Sequence, residues 1–262
     1  MSIVLNPSPD RLQAVLRPSF AVLGASGGIG QALVRHLLES YPRAQVVGTY
    51  RHQGQSLACL RSHYGDRLQL LPLDITQEEQ IQALATALGE LSPHYHGVIN
   101  CIGLLHDQTL QPEKNLRQLQ ADALHTYFAV NSIGPILLAK YLLPLFRHTE
   151  PSYLAFLSAK VGSITDNHLG GWYGYRASKA ALNMFIKTAA IEYRRVAPQS
   201  LLVLLHPGTT DTGLSQPFQK NVPPAKLFTP ERTVAQLMTI LQSLGPEDSG
   251  SFFNWDGSLL PW

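Results

Sequence analysis

The chain has 262 residues, of which 45% are hydrophobic and 15% charged, and its formal net charge at pH 7 is +2. This length suits one large α/β domain or two small ones, and the composition is that of an ordinary globular protein. Because basic and acidic residues are interspersed, neither nucleic acid nor an anionic membrane is expected as a partner. Cys59 and Cys101 lie far apart in apolar settings, which favours a reduced, cytoplasmic protein over a disulfide scaffold.

The start of the chain does not have the pattern of a signal peptide, because Pro7 and Pro9 interrupt it and no basic region precedes an apolar run. No apolar run approaches the length of about 18 residues that a membrane-spanning helix needs. His94 and His96 alternate, but no third ligand lies nearby in the sequence, so we predict no metal site. We expect residues 1–18 to form an N-terminal extension ahead of a single domain over residues 19–262.

A glycine-rich segment, residues 24–30, follows a short apolar run of the buried-strand type at residues 19–23. A helical pattern of apolar residues comes next, so the glycines lie on a turn from strand to helix. Glycine permits a tight turn and close approach of a pyrophosphate, and a helix N-terminus offers unpaired N–H groups to an anion. We predict a phosphate-binding loop, although a plain tight turn would have the same local pattern.

The second predicted strand, residues 45–50, ends without an acidic residue. In a dinucleotide-binding unit an acidic residue at this place holds the ribose 2′-hydroxyl, whereas a basic residue accommodates a 2′-phosphate. Arg51 therefore predicts a preference for NADP(H) over NAD(H), with a solvated loop arginine as the alternative. Asp74, at the end of the third strand, is placed either to meet an adenine amino group or to serve as an ordinary carboxylate at a helix entry.

Strands and helices continue to alternate, which predicts one parallel sheet. The further strands are expected at residues 67–71, 97–101, 152–157, 201–205 and 251–255, and the helices after the first at residues 55–64, 76–88, 121–146, from 177 onward and 230–244. Thr76 and Glu79 have the spacing of a capping box for the third helix. Residues 211–228 contain three prolines and little periodicity, and we interpret them as a substrate lid.

Tyr175 and Lys179 lie four residues apart on a predicted helix, so their side chains share one face. A neighbouring cation favours phenolate over phenol and is expected to lower the pKa of the tyrosine from its usual value of about 10. A tyrosine tuned in this way can donate or accept a proton at an oxygen that is being reduced or oxidised. Taken alone, the pair also fits a solvated pair on a surface helix. Ser158 follows the fifth strand, at the edge where ligands bind in open parallel sheets.

In this combination and order the motifs resemble the classical short-chain dehydrogenases/reductases over nearly the whole chain. The matching residues are Gly24, Gly28, Gly30, Asp74, the Asn100 to Gly103 segment, Asn131, Ser158, Tyr175, Lys179 and Pro207-Gly208. Residues 160–164, 172–179 and 256–262 look like the C-factor (C-signal) branch, which is related to the sniffer-type carbonyl reductases. The resemblance implies a single-domain Rossmann fold: a doubly wound parallel sheet with seven strands in the order 3-2-1-4-5-6-7, and helices on both faces.

The resemblance also implies a nicotinamide cofactor and a catalytic tetrad. Tyr175 would be the general acid/base, and Lys179 would bind the nicotinamide ribose and lower the pKa of the tyrosine. Ser158 would hydrogen-bond the substrate oxygen as charge develops on it, and Asn131 would hold a helix kink and a water that relays protons to Lys179. The residues expected to contact the cofactor are Gly24, Ser26, Gly28, Ile29, Gly30, Arg51, Asp74, Ile75, Asn100, Gly103, Tyr175, Lys179, Pro207, Gly208 and Thr210.

Three departures from the family pattern affect these expectations. Leu23 stands where the family usually has a threonine before the first glycine, which removes a hydroxyl contact to the turn. Gly27 replaces the basic residue that many NADP-preferring members carry in the loop, so the cofactor preference rests mainly on Arg51. The segment between Ser158 and Tyr175 is a few residues longer than usual, with residues 167–171 as the insert beside the active site.

We therefore predict an NADP(H)-dependent oxidoreductase that transfers a hydride between nicotinamide and a carbonyl or secondary alcohol, with Tyr175 as general acid/base. One alternative is an NADP(H)-binding signalling or regulatory protein of the C-factor type with little or no turnover. Another is an epimerase or dehydratase of the extended branch, for which the chain is short. The expected partners are a small-molecule substrate and further copies of the chain, in a homodimer or homotetramer.

Overall fold

The computed structural model describes residue 12, residues 14–52 and residues 54–262. In this part of the chain a parallel sheet has seven strands in the order β3-β2-β1-β4-β5-β6-β9, and β7 and β8 pair as a separate ribbon. The strands are β1 (Ser19–Leu23), β2 (Gln45–Tyr50), β3 (Leu68–Pro72), β4 (Gly97–Asn100), β5 (Ser152–Leu157), β6 (Ser200–His206), β7 (Thr209–Thr210), β8 (Leu227–Phe228) and β9 (Phe252–Asn254). The predicted Rossmann order is confirmed, with β9 as its seventh strand.

Helices cover both faces of the sheet, as predicted. They are α1 (Gly28–Ser40), α2 (Gln55–Tyr64), α3 (Glu78–Leu91), α4 (Ala121–Phe128), α5 (Gly134–Leu142), α6 (Tyr173–Val196) and α7 (Pro230–Ser243). Alternate residues of a strand point to opposite faces, so Val22 packs in one hydrophobic cluster and Leu23 in the other. The first cluster includes Leu33 of α1, and the second includes Leu182 of α6. Both faces of the sheet are therefore buried.

Only part of the predicted N-terminal extension is described. Leu12 is buried in the first hydrophobic cluster, beside α7 and the start of β5. Residues 1–11 and residue 13 of the extension lie outside the described residues.

The start of α3 differs from the predicted capping box. The helix begins at Glu78, and its N-cap residue, Gln77, makes no side-chain capping bond. The Thr76 hydroxyl instead donates to Asp74 Oδ1 at 2.7 Å, and the Thr76 N–H donates to the same oxygen at 2.9 Å. The capping-box prediction is wrong because the preceding aspartate competes successfully for the threonine hydroxyl.

A π-helical turn, Ala129–Ile133, joins α4 to α5 and carries Asn131. Pro135 has no N–H with which to bond the Asn131 carbonyl in α-helical fashion, and the Gly134 N–H donates to the Ala129 carbonyl, five residues back. A β-carbon on Gly134 would lie 2.5 Å from the Ile75 carbonyl oxygen. The proline and this close approach together explain the kink.

The helical segment 121–146 is long and apolar enough, by length and composition alone, to cross a membrane, contrary to the sequence expectation. Half of its most apolar window is buried within the domain, where α5 packs against α3 and α6. Core helices of globular proteins have the same composition, because they are apolar on most sides. The packing accounts for its hydropathy.

Candidate active site

Three adjoining cavities lie at the carboxyl ends of the central strands. The Arg51 cleft, of about 330 Å³, extends from Gly24 to Asp74, and the Lys179 cleft, of about 420 Å³, lies on the other side of the glycine turn. The Trp172 pocket, of about 330 Å³, adjoins the Lys179 cleft beneath the predicted lid. Ligands of open parallel sheets bind at this edge.

The glycine turn is built as a cradle for an anion. Gly24 has a φ of +83°, which glycine adopts without strain, and a β-carbon on Gly28 would lie 2.8 Å from Thr212 Cγ2. The Gly24 N–H donates to Thr49 Oγ1 at 3.1 Å. A hydroxyl from β2 therefore contacts the turn that lacks the threonine at position 23. Ser26, Gly28, Ile29 and Gly30 all line the Lys179 cleft, at the start of α1.

Arg51, which is exposed, lines the Arg51 cleft together with Asp74 and Ile75. The sequence predicted that all three residues contact the cofactor. Burial alone would raise the pKa of Asp74, but its bonds from the Thr76 hydroxyl and N–H, with Arg51 nearby, hold that pKa below the ordinary value. Asp107 lines the same cleft and also feels the positive charge of Arg51. The cleft therefore combines one cation with two ionised carboxylates.

The segment after β4 connects the two clefts. Asn100 is buried and lines neither cleft; its Oδ1 accepts the Ile102 N–H at 3.2 Å, so it supports the turn and does not contact the space for a cofactor directly. Gly103 lines both clefts. A β-carbon on Gly103 would lie 3.5 Å from Lys179 Nζ and 3.7 Å from Asn131 Oδ1. These are ordinary contact distances, so the loop lies directly against both groups.

Asn131 ties this loop to α6. Its Oδ1 accepts the Leu104 N–H at 2.8 Å, and its Nδ2 donates to the Leu104 carbonyl at 2.8 Å and to Ser178 Oγ at 3.1 Å. Ser178 Oγ in turn donates to the Tyr175 carbonyl at 2.8 Å. The π turn therefore places an amide that fixes the loop and the first turns of α6 together.

Tyr175 and Lys179 share one buried face of α6, with 7% and 3% of their surfaces exposed. Lys179 Nζ donates to the Leu157 carbonyl at 2.9 Å and lies 5.8 Å from the centre of the Tyr175 ring. Burial raises the pKa of Tyr175 above its ordinary value and lowers the pKa of Lys179 to about 8. The predicted lowering of the tyrosine pKa is wrong for this structure, because loss of hydration outweighs the attraction of the cation.

Ser158 contacts a residue to which the sequence analysis assigned no role. Its Oγ donates to Asn183 Oδ1 at 2.6 Å, and Asn183 Nδ2 is buried without a partner among the described residues. Asn183 lies four residues after Lys179, so it continues the buried stripe of Tyr175 and Lys179 by one more turn of helix. This repeat of spacing was the signal in the sequence.

The segment after β6 divides its residues between two cavities. Pro207 lines both the Lys179 cleft and the Trp172 pocket, and Gly208 has a φ of +71° with the Phe228 ring close by. The hydroxyl of Thr210 bonds with that of Thr233 at 2.8 Å and the residue lines only the pocket among the three cavities. Thr212, absent from the predicted list of cofactor contacts, lines the Lys179 cleft.

The insert of residues 167–171 presents Trp172 to the pocket. Gly170, Gly171 and Trp172 all have left-handed backbones, with φ of 65°, 68° and 52°. The Arg176 guanidinium holds this turn through the carbonyls of Gly170 and Gly171 at 3.1 and 3.0 Å. The Trp172 ring meets the Phe218 ring edge to face at 5.0 Å between centroids. The insert and the predicted lid therefore close the pocket together.

His148 brings a third imidazole to the pair that alternates in the sequence. Its ring lies 4.8 Å from that of His94 and 5.4 Å from that of His96, between centroids. His96 is already bonded to Glu150 at 2.9 Å. Among the described residues no group of three His, Cys, Asp or Glu side chains is arranged to hold a metal ion.

Residues 19–223 match the family model described as short chain dehydrogenase. The chain belongs to the short-chain dehydrogenase family. C-signal of Myxococcus xanthus is 35% identical over 143 residues, which are 54% of this chain and 80% of that protein. The 1-hydroxy-2-glutathionyl-2-methyl-3-butene dehydrogenase of Rhodococcus sp. (strain AD45) is 29% identical over 92% of this chain and 98% of its own length.

The crystal structure of an NADPH-bound carbonyl reductase from chicken fatty liver superposes with a TM-score of 0.82 at 29% identity, covering 94% of this chain and 100% of that one. These similarities assign the short-chain dehydrogenase described here to the C-factor and sniffer-type branch. It is therefore an oxidoreductase of a family that uses a nicotinamide cofactor.

The two clefts of this short-chain dehydrogenase fit a nicotinamide dinucleotide. The glycine turn lies between them, and a β-carbon on Gly24 or Gly28 would come within 3 Å of the side chain of Ile102 or Thr212. A pyrophosphate on the turn would meet the N-terminus of α1, which carries the positive end of the helix dipole. The nicotinamide end would then lie beside Tyr175 and Lys179, and the adenosine end beside Arg51 and Asp74.

Proposed function

We propose that the protein is an NADP(H)-dependent carbonyl reductase that reduces a small ketone or aldehyde to an alcohol. One observation carries the proposal: Ser158 and Tyr175 line both the Lys179 cleft and the Trp172 pocket. A carbonyl group in the pocket would contact these two hydroxyls and face the cleft at the same time. Geometry of this kind allows proton transfer at the oxygen next to hydride transfer at the carbon.

The cofactor, when bound, supplies the hydride. Tyr175 donates its phenolic proton to the carbonyl oxygen, and the raised pKa of the phenol keeps that proton in place at neutral pH. Lys179, with a pKa of about 8, is mostly ammonium at pH 7 and favours the phenolate that is left behind. Ser158 turns its hydroxyl from Asn183 to the substrate oxygen, and Asn131 fixes the loop beside Lys179.

Replacing Tyr175 by phenylalanine tests the proposal. Tyr175→Phe should lower kcat by at least 100-fold, because general acid catalysis contributes about that much, while NADPH still raises the melting temperature. Tyr173→Phe is the matched control, since Tyr173 lies two residues earlier on the same helix and outside both the cleft and the pocket. NADPH oxidation is followed against a panel of carbonyl compounds. Full activity of Tyr175→Phe with a substrate of the wild type would refute the mechanism.

Arg51 supports a preference for NADP(H) over NAD(H), because β2 ends without a carboxylate and the guanidinium is exposed at the cleft. The carbonyl reductase from chicken fatty liver binds NADPH, as its structure is described. Arg51→Asp should shift the larger thermal stabilisation from NADPH to NADH, since ligand stabilisation follows affinity. Arg43→Asp, at the exposed turn before β2, is the charge-matched control. Equal stabilisation of the wild type by both cofactors at equal concentration would contradict the preference.

The alternatives gain no specific support. A regulator of the C-factor type with little turnover would not need the pocket that adjoins Ser158 and Tyr175, and an epimerase of the extended branch would need more chain. We propose residues 19–262 as one dehydrogenase domain whose residues 211–228 form the substrate lid. The homodimer or homotetramer and the cytoplasmic location stay predictions. Exposed apolar residues on α6, Met184 and Ile191, would suit contact with a second copy.

A further inference from the structure

His206 lines the Trp172 pocket and has no role in the proposed mechanism. It is the last residue of β6, and the register of this strand pairs Leu205 with Leu157. The Ser158 N–H donates to the Leu205 carbonyl at 2.8 Å, so the next residues of the two strands, Ser158 and His206, lie side by side. Neighbouring strands are about 4.8 Å apart, and paired residues point to the same face. The imidazole therefore stands beside the hydroxyl that holds the substrate carbonyl.

The imidazole is neutral and has one N–H to offer. The pKa of His206 is lowered to about 4. Burial is the main cause, the positive charge of Lys160 adds to it, and the negative charge of Asp256 acts in the opposite direction. Nδ1 is buried without a hydrogen-bond partner among the described residues. A buried, unpaired N–H costs more than an unpaired lone pair, so the proton belongs on Nε2. Nε2 makes no hydrogen bond to the described side chains or backbone groups, and the half-buried residue lines the pocket.

Much of the remaining pocket wall is apolar. Trp172 and Phe218 close one side, and Leu105 and Leu214 contribute further hydrophobic surface. A substrate with an apolar body is favoured here, and its polar atoms need partners on entry because unpaired polar groups are costly to bury. Two donors, Ser158 and Tyr175, serve the reacting carbonyl. Other polar residues, such as Lys160 and Thr209, also line the pocket, but His206 is the one paired with Ser158 across the strands, so its Nε2 lies next to the reacting carbonyl and can serve a second oxygen.

We propose that His206 is a specificity-determining residue that donates a hydrogen bond to a second substrate oxygen, located on the carbon α or β to the reacting carbonyl. The substrate class is then a vicinal diketone or a β-keto ester with an apolar body. The inference rests on the proposed function. In the reaction one carbonyl becomes a hydroxyl group, with the hydride from NADPH, which leaves as NADP⁺, and the proton from Tyr175; the second oxygen keeps its bonds.

A matched pair of substrates tests the inference: 1-phenylpropane-1,2-dione and 1-phenylpropan-2-one share one carbon skeleton and differ by one oxygen. The wild type is compared with His206→Phe, which keeps a ring but removes the donor, and with His206→Gln, which keeps an N–H donor. We expect the ratio of kcat/KM for the diketone to that for the monoketone to fall about 10-fold in His206→Phe and to recover in His206→Gln. Comparing ratios removes the intrinsic reactivity of the diketone.

Binding gives a second measurement that needs no turnover. In the Tyr175→Phe background with NADPH bound, calorimetry should show the diketone losing about 10-fold in affinity on His206→Phe, and the monoketone losing much less. Should His206→Phe fail to fold, as its melting curve will tell, His206→Leu takes its place in both measurements.

The outcomes separate the two proposals. A wild type that reduces the monoketone, with a diketone-to-monoketone ratio that none of the His206 variants changes, overturns the role of His206 and leaves the reductase intact. The inference also fails if His206→Gln behaves like His206→Phe, because the donor is then not what matters. If the wild type reduces neither ketone nor any compound of a wider carbonyl panel, the proposed function itself is wrong. The inference about the substrate class then fails as well.

Discussion

Lys179 keeps an ammonium group where only 3% of the residue's surface is exposed, with the Leu157 carbonyl as its hydrogen-bond partner at 2.9 Å. Helical spacing was enough to predict that Lys179 and Tyr175 share a face. It was not enough to predict the electrostatics, because the depth of burial depends on β5 and on the loop after β4. Hydration is lost by both groups, so the lysine pKa falls and the tyrosine pKa rises.

Lys179→Met should therefore stabilise the cofactor-free protein at pH 7 while abolishing turnover. A pKa of about 8 in the folded state, against 10.5 ordinarily, means that the folded state binds the proton more weakly. The resulting penalty is complete below pH 8 and is relieved as the pH rises toward 10.5. We expect a gain of about 1–3 kcal/mol in the free energy of unfolding at pH 7, and a smaller gain at pH 10.

Urea denaturation at both pH values measures this difference. Lys187→Met is the control, since Lys187 is exposed on the same helix and should change stability by less than about 1 kcal/mol. A Lys179→Met protein less stable than the wild type at pH 7 would show that the hydrogen bond to Leu157 outweighs the cost of burying the charge.

The kink between α4 and α5 is the element that positions Asn131. The sequence shows one cause of the kink, because Gly134 and Pro135 interrupt a helical pattern. The second cause is a tertiary contact, since Gly134 lies against the Ile75 loop that follows β3.

The start of α6 also depends on a contact between distant segments. Glu113, 61 residues earlier, accepts the Gly174 N–H at 3.1 Å, which no local pattern indicated.

Gly134→Ala should destabilise the protein by about 1–3 kcal/mol, because its methyl group would overlap the Ile75 backbone and side chain. Turnover should fall as well, since Asn131 moves with the kink. Gly89→Ala is the control: it lies in α3, and its β-carbon would make only an ordinary contact of 3.5 Å with Leu145. That change should be neutral or stabilising by up to about 1 kcal/mol. Melting curves of the two variants decide between steric overlap and a general effect of glycine replacement.

At the scale of the whole molecule, residues 211–228 link the sheet to the site. The paired strands β7 and β8 hold the two ends of this segment together, and 3-10 turns at Gln216–Asn221 and Pro224–Lys226 fill it. His106 Nε2 lies 3.2 Å from the carbonyls of both Gly213 and Leu214, so the loop after β4 contacts the predicted lid across the entrance.

Limited trypsin digestion tests the lid. Lys220 and Lys226 are exposed within it, and Lys114 is exposed in a loop outside it. We expect saturating NADPH to slow cleavage after Lys220 and Lys226 by at least about 5-fold, because a ligand that favours the closed form lowers the open population that proteases attack. Cleavage after Lys114 is the internal control, with rates followed by mass spectrometry. Equal slowing at all three sites would indicate general stabilisation without lid closure.

Local patterns were sufficient for the glycine turn, for the seven strands of the main sheet and most helices, and for Ser158, Tyr175 and Lys179. Those features follow from short-range periodicity and from residue types that a turn, a strand end or a helix face requires. Local patterns did not reveal the short strands β7 and β8. Asn183, Thr212, Glu113 and His206 gained their positions only from packing between distant segments. The burial of each residue also depends on this packing, because a side chain loses its hydration only when other elements cover it. The protonation of Tyr175 and Lys179 is thus a property of the folded molecule, although their spacing was visible in the chain.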